Sequence, residues 1–166
     1  LLNRLRVNED RELRLKNPLS QEQDRLRRSL APNIIRNIEL NQRYNESFRI
    51  YELGRVYLKE KRTDPDLAHE NTRITGAVYR KKADTPLFYE ARAIAADLLS
   101  QLSVSGSRLL PADKDLPPYA HPGRSLEILI GKDRAGLVFE LHPAARDAFE
   151  IRGQAALFDL DLDMLL

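Results

Sequence analysis

The chain predicts an α+β fold with a largely antiparallel sheet, and three observations carry that expectation. Strand-like and helix-like stretches do not alternate regularly, which argues against a doubly wound parallel sheet. Two apolar runs flank Gly131-Lys132-Asp133-Arg134, a hairpin signature. The stretch 88–102 repeats its apolar residues with the helical period, giving one face that packs against something else.

The elements can be read in order. After the turn-prone Asn8-Glu9-Asp10, Leu13-Arg14-Leu15-Lys16 has the period of a strand. Asn17-Pro18 ends it, because the residue before proline is pushed to extended geometry. Ser20-Gln21-Glu22-Gln23 reads as a capping box, opening a helix to about Leu30 with Leu26 and Leu30 four apart. Pro32 suits the first turn of a second helix, whose apolar stripe is Ile34, Ile35 and Ile38. The polar run 41–47 ends that helix. Residues 48–58 form the best strand of the first half, and Gly54 inside it marks a bulge or a close backbone approach. A charged loop over 59–70 leads to a short strand at 73–79.

In the helix at 88–102, Ala91, Ile94, Ala95, Leu98, Leu99 and Leu102 fall on one face. A Ser- and Pro-rich connector spans 103–122. Strands at 126–130 and 135–140 flank the hairpin, Pro143 starts a short helix to about Phe149, and Gly153 precedes a last strand at 157–162. Residues 160–166 read as strand end and helix start. There is no internal repeat.

At 166 residues with 42% apolar side chains, the chain fits one domain over 1–166. A globule of that size buries roughly 70% of the surface its unfolded chain exposes. Having no Cys, it has no disulfide, no thiol chemistry and no Cys-ligated zinc. No apolar run approaches the ~18–20 residues of a membrane helix, so no membrane partner is expected. The first residue is Leu1 and the only Met is Met164, which reads as a piece cut from a longer chain.

The net charge of +2 conceals a split: residues 1–62 carry +6 and residues 63–166 carry −4. Of the 27 cations, 20 are Arg, compatible with phosphate contact or with a protein interface using the guanidinium fork. The basic stretch Arg25, Arg27, Arg28, Arg36 and Arg43 has only Tyr44 nearby as a stacking aromatic. A solvated or interfacial helix face is therefore the better reading than a single-strand reader.

His121, Glu140 and His142 form a possible two-His, one-carboxylate metal set. Both histidines precede proline at element boundaries, however, which favours rings that tie off turns. Asp159, Asp161 and Asp163 alternate with Leu160 and Leu162 and read as a solvated strand face. No phosphate-binding glycine loop and no nucleophile elbow occurs.

Several patterns, in order, resemble one family: the catalytic-like domain of the β subunit of bacterial phenylalanyl-tRNA synthetase. They are Leu15-Lys16-Asn17-Pro18-Leu19-Ser20, Leu26-Arg27-Arg28-Ser29-Leu30-Ala31-Pro32, Tyr51-Glu52-Leu53-Gly54-Arg55-Val56-Tyr57 and Leu87-Phe88-Tyr89-Glu90. The resemblance is strongest at His121-Pro122-Gly123-Arg124-Ser125 and at Gly136-Leu137-Val138-Phe139-Glu140-Leu141-His142-Pro143, and it closes on Phe158-Asp159-Leu160-Asp161-Leu162. Asn17, Pro18, Glu52, Gly54, Arg55, His121, Pro122, Gly123, Arg124, Glu140, His142 and Pro143 are then family-motif residues of structural type.

The resemblance implies a class II synthetase-like antiparallel sheet flanked by helices, related to a catalytic domain but not itself catalytic. It also implies a parent enzyme of two α and two β chains that attaches phenylalanine to its tRNA using ATP and Mg2+ in the cytoplasm, with the chemistry on α. This fragment would hold no cofactor, and its early helices would face the α subunit through Leu26, Leu30, Ile34, Ile35 and Ile38. An Arg-rich module that binds tRNA is the alternative.

A class II site needs a Phe-Arg-x-Glu pattern, whose Arg holds the ATP α-phosphate, and a second Arg closing a Gly-x-Gly-x-Gly run. Phe48-Arg49-Ile50-Tyr51-Glu52 has one residue too many, which moves Glu52 to the opposite strand face. The glycine run is absent. The family's Asp and Lys after the aromatic pair are replaced by Glu90 and Arg92, and its Gly by Ala93 or Ile94.

Overall fold

The computed structural model describes residues 1–8, 12–18, 24–59, 69–112 and 114–166. Helix α1 (Ala31–Asn41) begins where Pro32 occupies the first turn, and the Ala31 amide donates to Ser29 Oγ at 3.1 Å. It buries Ile34, Ile35 and Ile38 on one face. Strand β3 (Ser47–Leu58) pairs antiparallel with β4 (His69–Arg80) along its whole length. Helix α2 (Phe88–Gln101) follows, then β5 (Ser107–Pro111), β6 (Ala120–Ile130) and β7 (Asp133–Leu141). The short helix α3 (Pro143–Ala148) leads to β8 (Gln154–Asp161) and the final turn α4 (Leu162–Leu165).

Six strands form one antiparallel sheet in the order β3-β4-β8-β7-β6-β5. The last strand in the chain is thus inserted at the centre, between β4 and β7. Side chains alternate across it, and each face has its own core. On one face Ile34, Ile35 and Ile38 of α1 pack with Tyr79, Phe139, Leu141 and Leu157. On the other, Ala91, Ala95 and Leu99 of α2 pack with Val78, Ile128, Val138 and Leu160. The architecture is α+β with helices on both sides of an antiparallel sheet, as the patterning predicts.

Several expectations are corrected. No helix runs to Leu30: Arg25–Leu26 is a strand, β2, pairing with β1 (Leu13–Arg14). The Tyr57 amide donates to the Arg27 carbonyl at 2.9 Å, so that segment is held extended beside β3 by tertiary contacts. The capping-box residues 20–23 lie outside the described residues, as do 60–68 of the charged loop. The strand expected at 73–79 runs from His69 to Arg80. The connector at 103–122 contains edge strand β5, and β6 already starts at Ala120 with a register shift before Ser125. That irregularity accommodates Pro122, which has no amide to contribute to a ladder. Gly54 marks a close approach and not a bulge, since the β3–β4 register is continuous. A Cβ there would meet the Arg27 guanidinium.

The apolar stripe expected to face a partner is largely internal. Leu30, Ile34, Ile35 and Ile38 are buried within this chain, at 0–1% exposure, and only Leu26 is half-buried. The sheet face under α1 needs those side chains to exclude water, which leaves them no surface for a partner. The basic stretch likewise does not share a helix: Arg36 lies on α1, Arg43 in the turn after it, and Arg25 on β2. Among the described residues, no helix is long and apolar enough to cross a membrane.

Candidate functional site

A cleft of about 1310 Å³ opens on the α1 face of the sheet, lined among others by Arg27, Arg36, Arg73, Tyr119, Arg134 and Asp159. Its floor is a charge network between two adjacent strands. Arg73 of β4 lies 2.9 Å from Asp159 Oδ2 and 3.6 Å from Asp161 Oδ2, both on β8. Thr75 donates its hydroxyl to Asp159 at 2.7 Å, and Asn71 Nδ2 donates to Asp161 at 2.9 Å and to Asp163 at 3.2 Å. Asp161 also accepts the Met164 amide at 3.2 Å, capping α4.

Burial opposes the charge on Arg73, but the Asp159 carboxylate, its hydrogen bond and Asp161 outweigh it and raise the guanidinium above its usual value. The three aspartates therefore do not form a solvated face. Asp161 is 2% exposed and paired, while Asp163 has left the strand for α4. A buried cation on the neighbouring strand explains the difference, because a buried carboxylate needs a partner. Above this floor Tyr119 shares a hydrogen bond with Ser29, and burial pushes its hydroxyl up to about 12.

The near-match to the phosphate-binding pattern divides across the sheet. Glu52 is ion-paired with Arg27 on the cleft side, and Arg27 Nε donates to the Arg55 carbonyl at 2.9 Å. Arg49 points the other way, donating to Glu90 of α2 at 2.6 Å, and Arg80 reaches the same carboxylate at 2.7 Å. The extra residue between Arg49 and Glu52 thus separates them onto opposite faces, as the strand period requires.

The other motif residues support turns. His121 Nδ1 accepts the Gly123 amide at 3.1 Å, and His142 Nδ1 accepts the Ala144 amide at 3.0 Å as the N-cap of α3, where Pro143 takes the first turn. The rings tie off turns by accepting at nitrogen, with the centroids 6.2 Å apart. Glu140, almost fully buried, is held by Arg124 at 2.5 Å. Among the described residues no group of three or more His, Asp or Glu side chains is placed to hold a metal, so the His121, Glu140 and His142 set does not converge. Arg55 pairs with Glu70 at 2.8 Å on the surface, and Asn17 and Pro18 lie exposed after β1.

A family model described as the phenylalanyl tRNA synthetase beta chain CLM domain matches residues 1–162. The chain belongs to that family. Curated relatives named phenylalanine–tRNA ligase beta subunit support the assignment to this CLM family. Those of Bdellovibrio bacteriovorus and Solibacter usitatus are 31% and 32% identical, over 94% and 92% of this chain. That of Bacillus subtilis is 32% identical over 90% of it. The chain spans 18–20% of the length of these relatives.

The CLM chain also resembles two solved structures of pyrrolysyl-tRNA synthetase from Desulfitobacterium hafniense. Their TM-scores are 0.69 and 0.71 at 19% and 20% identity, covering 94% and 99% of this chain and 52% and 57% of theirs. The fold is that of class II aminoacyl-tRNA synthetases.

Asn71 closes the polar run His69-Glu70-Asn71 and Ser29 lies inside a family motif, while the sequence patterns pass over Arg73, Thr75 and Tyr119. Arg73 alone leaves a trace, as a cation inside a run rich in Thr, Ile and Val, where an unpaired charge would be costly.

Proposed function

We propose that this chain is a structural, non-catalytic domain of the β subunit of a phenylalanine–tRNA ligase. In this reading it supports an α subunit that attaches phenylalanine to tRNA with ATP and Mg2+, within a cytoplasmic assembly of two α and two β chains. The observation that carries it is the orientation of Arg49. The only arginine in a near-match to the ATP-binding pattern is turned away from the cleft and bonded to Glu90. Arg73, the cation on the cleft floor, faces two carboxylates, so a phosphate arriving there would meet acidic groups that already satisfy it. These pairings support a reading in which Arg73 holds the two strands together and does not bind a nucleotide.

The partner face of the early segment is reduced to Leu26 and to surfaces other than the buried Ile34, Ile35 and Ile38 stripe. Arg27, Arg49, Arg55, Arg73, Arg80, Arg124 and Arg134 pair with carboxylates, which favours a structural role over RNA contact for those seven side chains. The purified chain is expected to co-purify with the matching α subunit and to catalyse no ATP–pyrophosphate exchange. Exchange by the chain alone overturns the non-catalytic assignment, and failure to co-purify overturns the supporting role.

A further inference from the structure

A second pocket, of about 390 Å³, lies at the C-terminal end of α1 and is lined by Gln42, Arg43, Tyr79, Lys81 and Arg152 among others. Tyr79 is only 1% exposed, yet its hydroxyl reaches this wall. There it donates to Gln42 Oε1 at 3.4 Å, longer than the roughly 2.5–3.0 Å of an ordinary O–H···O bond, so its proton is weakly committed. Burial raises this hydroxyl above its usual value, against the charges of Lys81 and Arg152, and it stays a donor at neutral pH.

The acceptors around the pocket are already used. Gln42 Oε1 also takes the Arg152 amide at 2.9 Å, and Gln42 Nε2 donates to the Glu150 carbonyl at 3.0 Å. At the end of α1 the Ile38 and Asn41 carbonyls accept the Gln42, Tyr44 and Asn45 amides. The Glu39 carboxylate is turned to Arg4 at 2.7 Å, and Glu46 holds Lys81 at 2.8 Å. The guanidiniums of Arg43 and Arg152 have no carboxylate partner among the described residues. Arg152 lies close enough to Lys81 to oppose its charge. Glu150 also lines the pocket but is exposed, and the charges acting on the Tyr79 hydroxyl are those of Lys81, Glu46 and Arg152. The wall thus presents donors and positive charge with few acceptors left to meet them.

We propose that this pocket binds the terminal phosphate of a small phosphomonoester, with Arg43, Lys81, Arg152 and the Tyr79 hydroxyl as its donors. Two guanidiniums without carboxylates suit a dianion, because the planar fork matches phosphate oxygens in pairs. A hydroxyl carried by a buried ring is reached by a terminal group and not by the middle of a diester chain. The volume lies at the low end of the ~300–1,000 Å³ of ligand sites, which fits a small molecule.

The test titrates the 166-residue chain, labelled for backbone amide NMR, with glycerol 3-phosphate at constant ionic strength. The expected result is saturable shifts of the Arg43, Tyr79, Lys81 and Arg152 amides, half complete at about 1 mM or below. Inorganic phosphate should bind within about threefold of the ester, since the phosphate group carries the recognition. Dimethyl phosphate, with one charge in place of two, should bind about tenfold more weakly, and acetate likewise. Tyr79→Phe keeps the ring packed on Phe48 and should weaken binding about fivefold through the lost hydrogen bond. Arg152→Gln, at an exposed position, should weaken it about tenfold. The absence of saturable shifts at those amides overturns the proposal, as does binding indifferent to both substitutions. Equal binding of acetate overturns the phosphate assignment, and equal binding of dimethyl phosphate overturns the monoester in favour of a nucleic-acid backbone. Inorganic phosphate binding more than tenfold tighter than the ester overturns the organic ligand in favour of the free ion.

Discussion

Arg73 reaches both Asp159 and Asp161 from the neighbouring strand, so one guanidinium holds two largely buried carboxylates. Removing it strands those charges away from water. Arg73→Ala is therefore expected to lower the unfolding free energy by about 3–5 kcal/mol in urea titrations, the usual cost of breaking a buried pair from one side. A loss under about 1 kcal/mol would mean that water already solvates the aspartates. Tyr119 gives a pH signature. Its hydroxyl is pushed up to about 12 by burial, against the ordinary value of 10. A phenol with a raised folded pKa favours the fold while neutral, so its contribution is complete below pH ~10 and is lost as the pH rises toward 12. Stability should fall by about 2–3 kcal/mol across that window, and Tyr119→Phe should flatten that part of the profile.

At the scale of elements, periodicity located most of the structure. The stripe of Ile34, Ile35 and Ile38 became α1, the face of Ala91, Ala95 and Leu99 became α2, and Gly131 turned the β6–β7 hairpin with a φ of 61°. The errors cluster where an element is defined by contact and not by period. Leu26 and Leu30, four apart, imitate a helix, yet Arg25–Leu26 pairs with β1 and the Arg27 carbonyl accepts from β3. Strand β5 is short and half-exposed, with little alternation to read, and it exists because β6 offers it an open ladder. The stripe on α1 was legible, but its destination was not. An apolar helix face looks the same whether it covers its own sheet or a partner.

For the whole molecule, the sheet is the shared wall of two cores, one under α1 and one under α2. Ile38→Ala and Leu99→Ala each remove apolar contact from one of them and should each lower stability by about 2–5 kcal/mol. If residues 1–162 unfold as one cooperative unit, the two losses add within about 0.5 kcal/mol in the double variant, and one transition is retained. Two separated transitions would divide the chain at the sheet. The sequence by itself determined the α+β class, most helices and strands, the ordered motifs of the family, and the displacement of Glu52 from Arg49. Each of these depends on neighbours within a few residues, where chain geometry sets a period. Only the tertiary structure decided that Arg73 meets Asp159, 86 residues away, that Arg49 meets Glu90, and that the isoleucine stripe is internal. Those outcomes follow from β8 inserting beside β4 and from which helix covers which face, and the strand order of a sheet leaves no period in the chain.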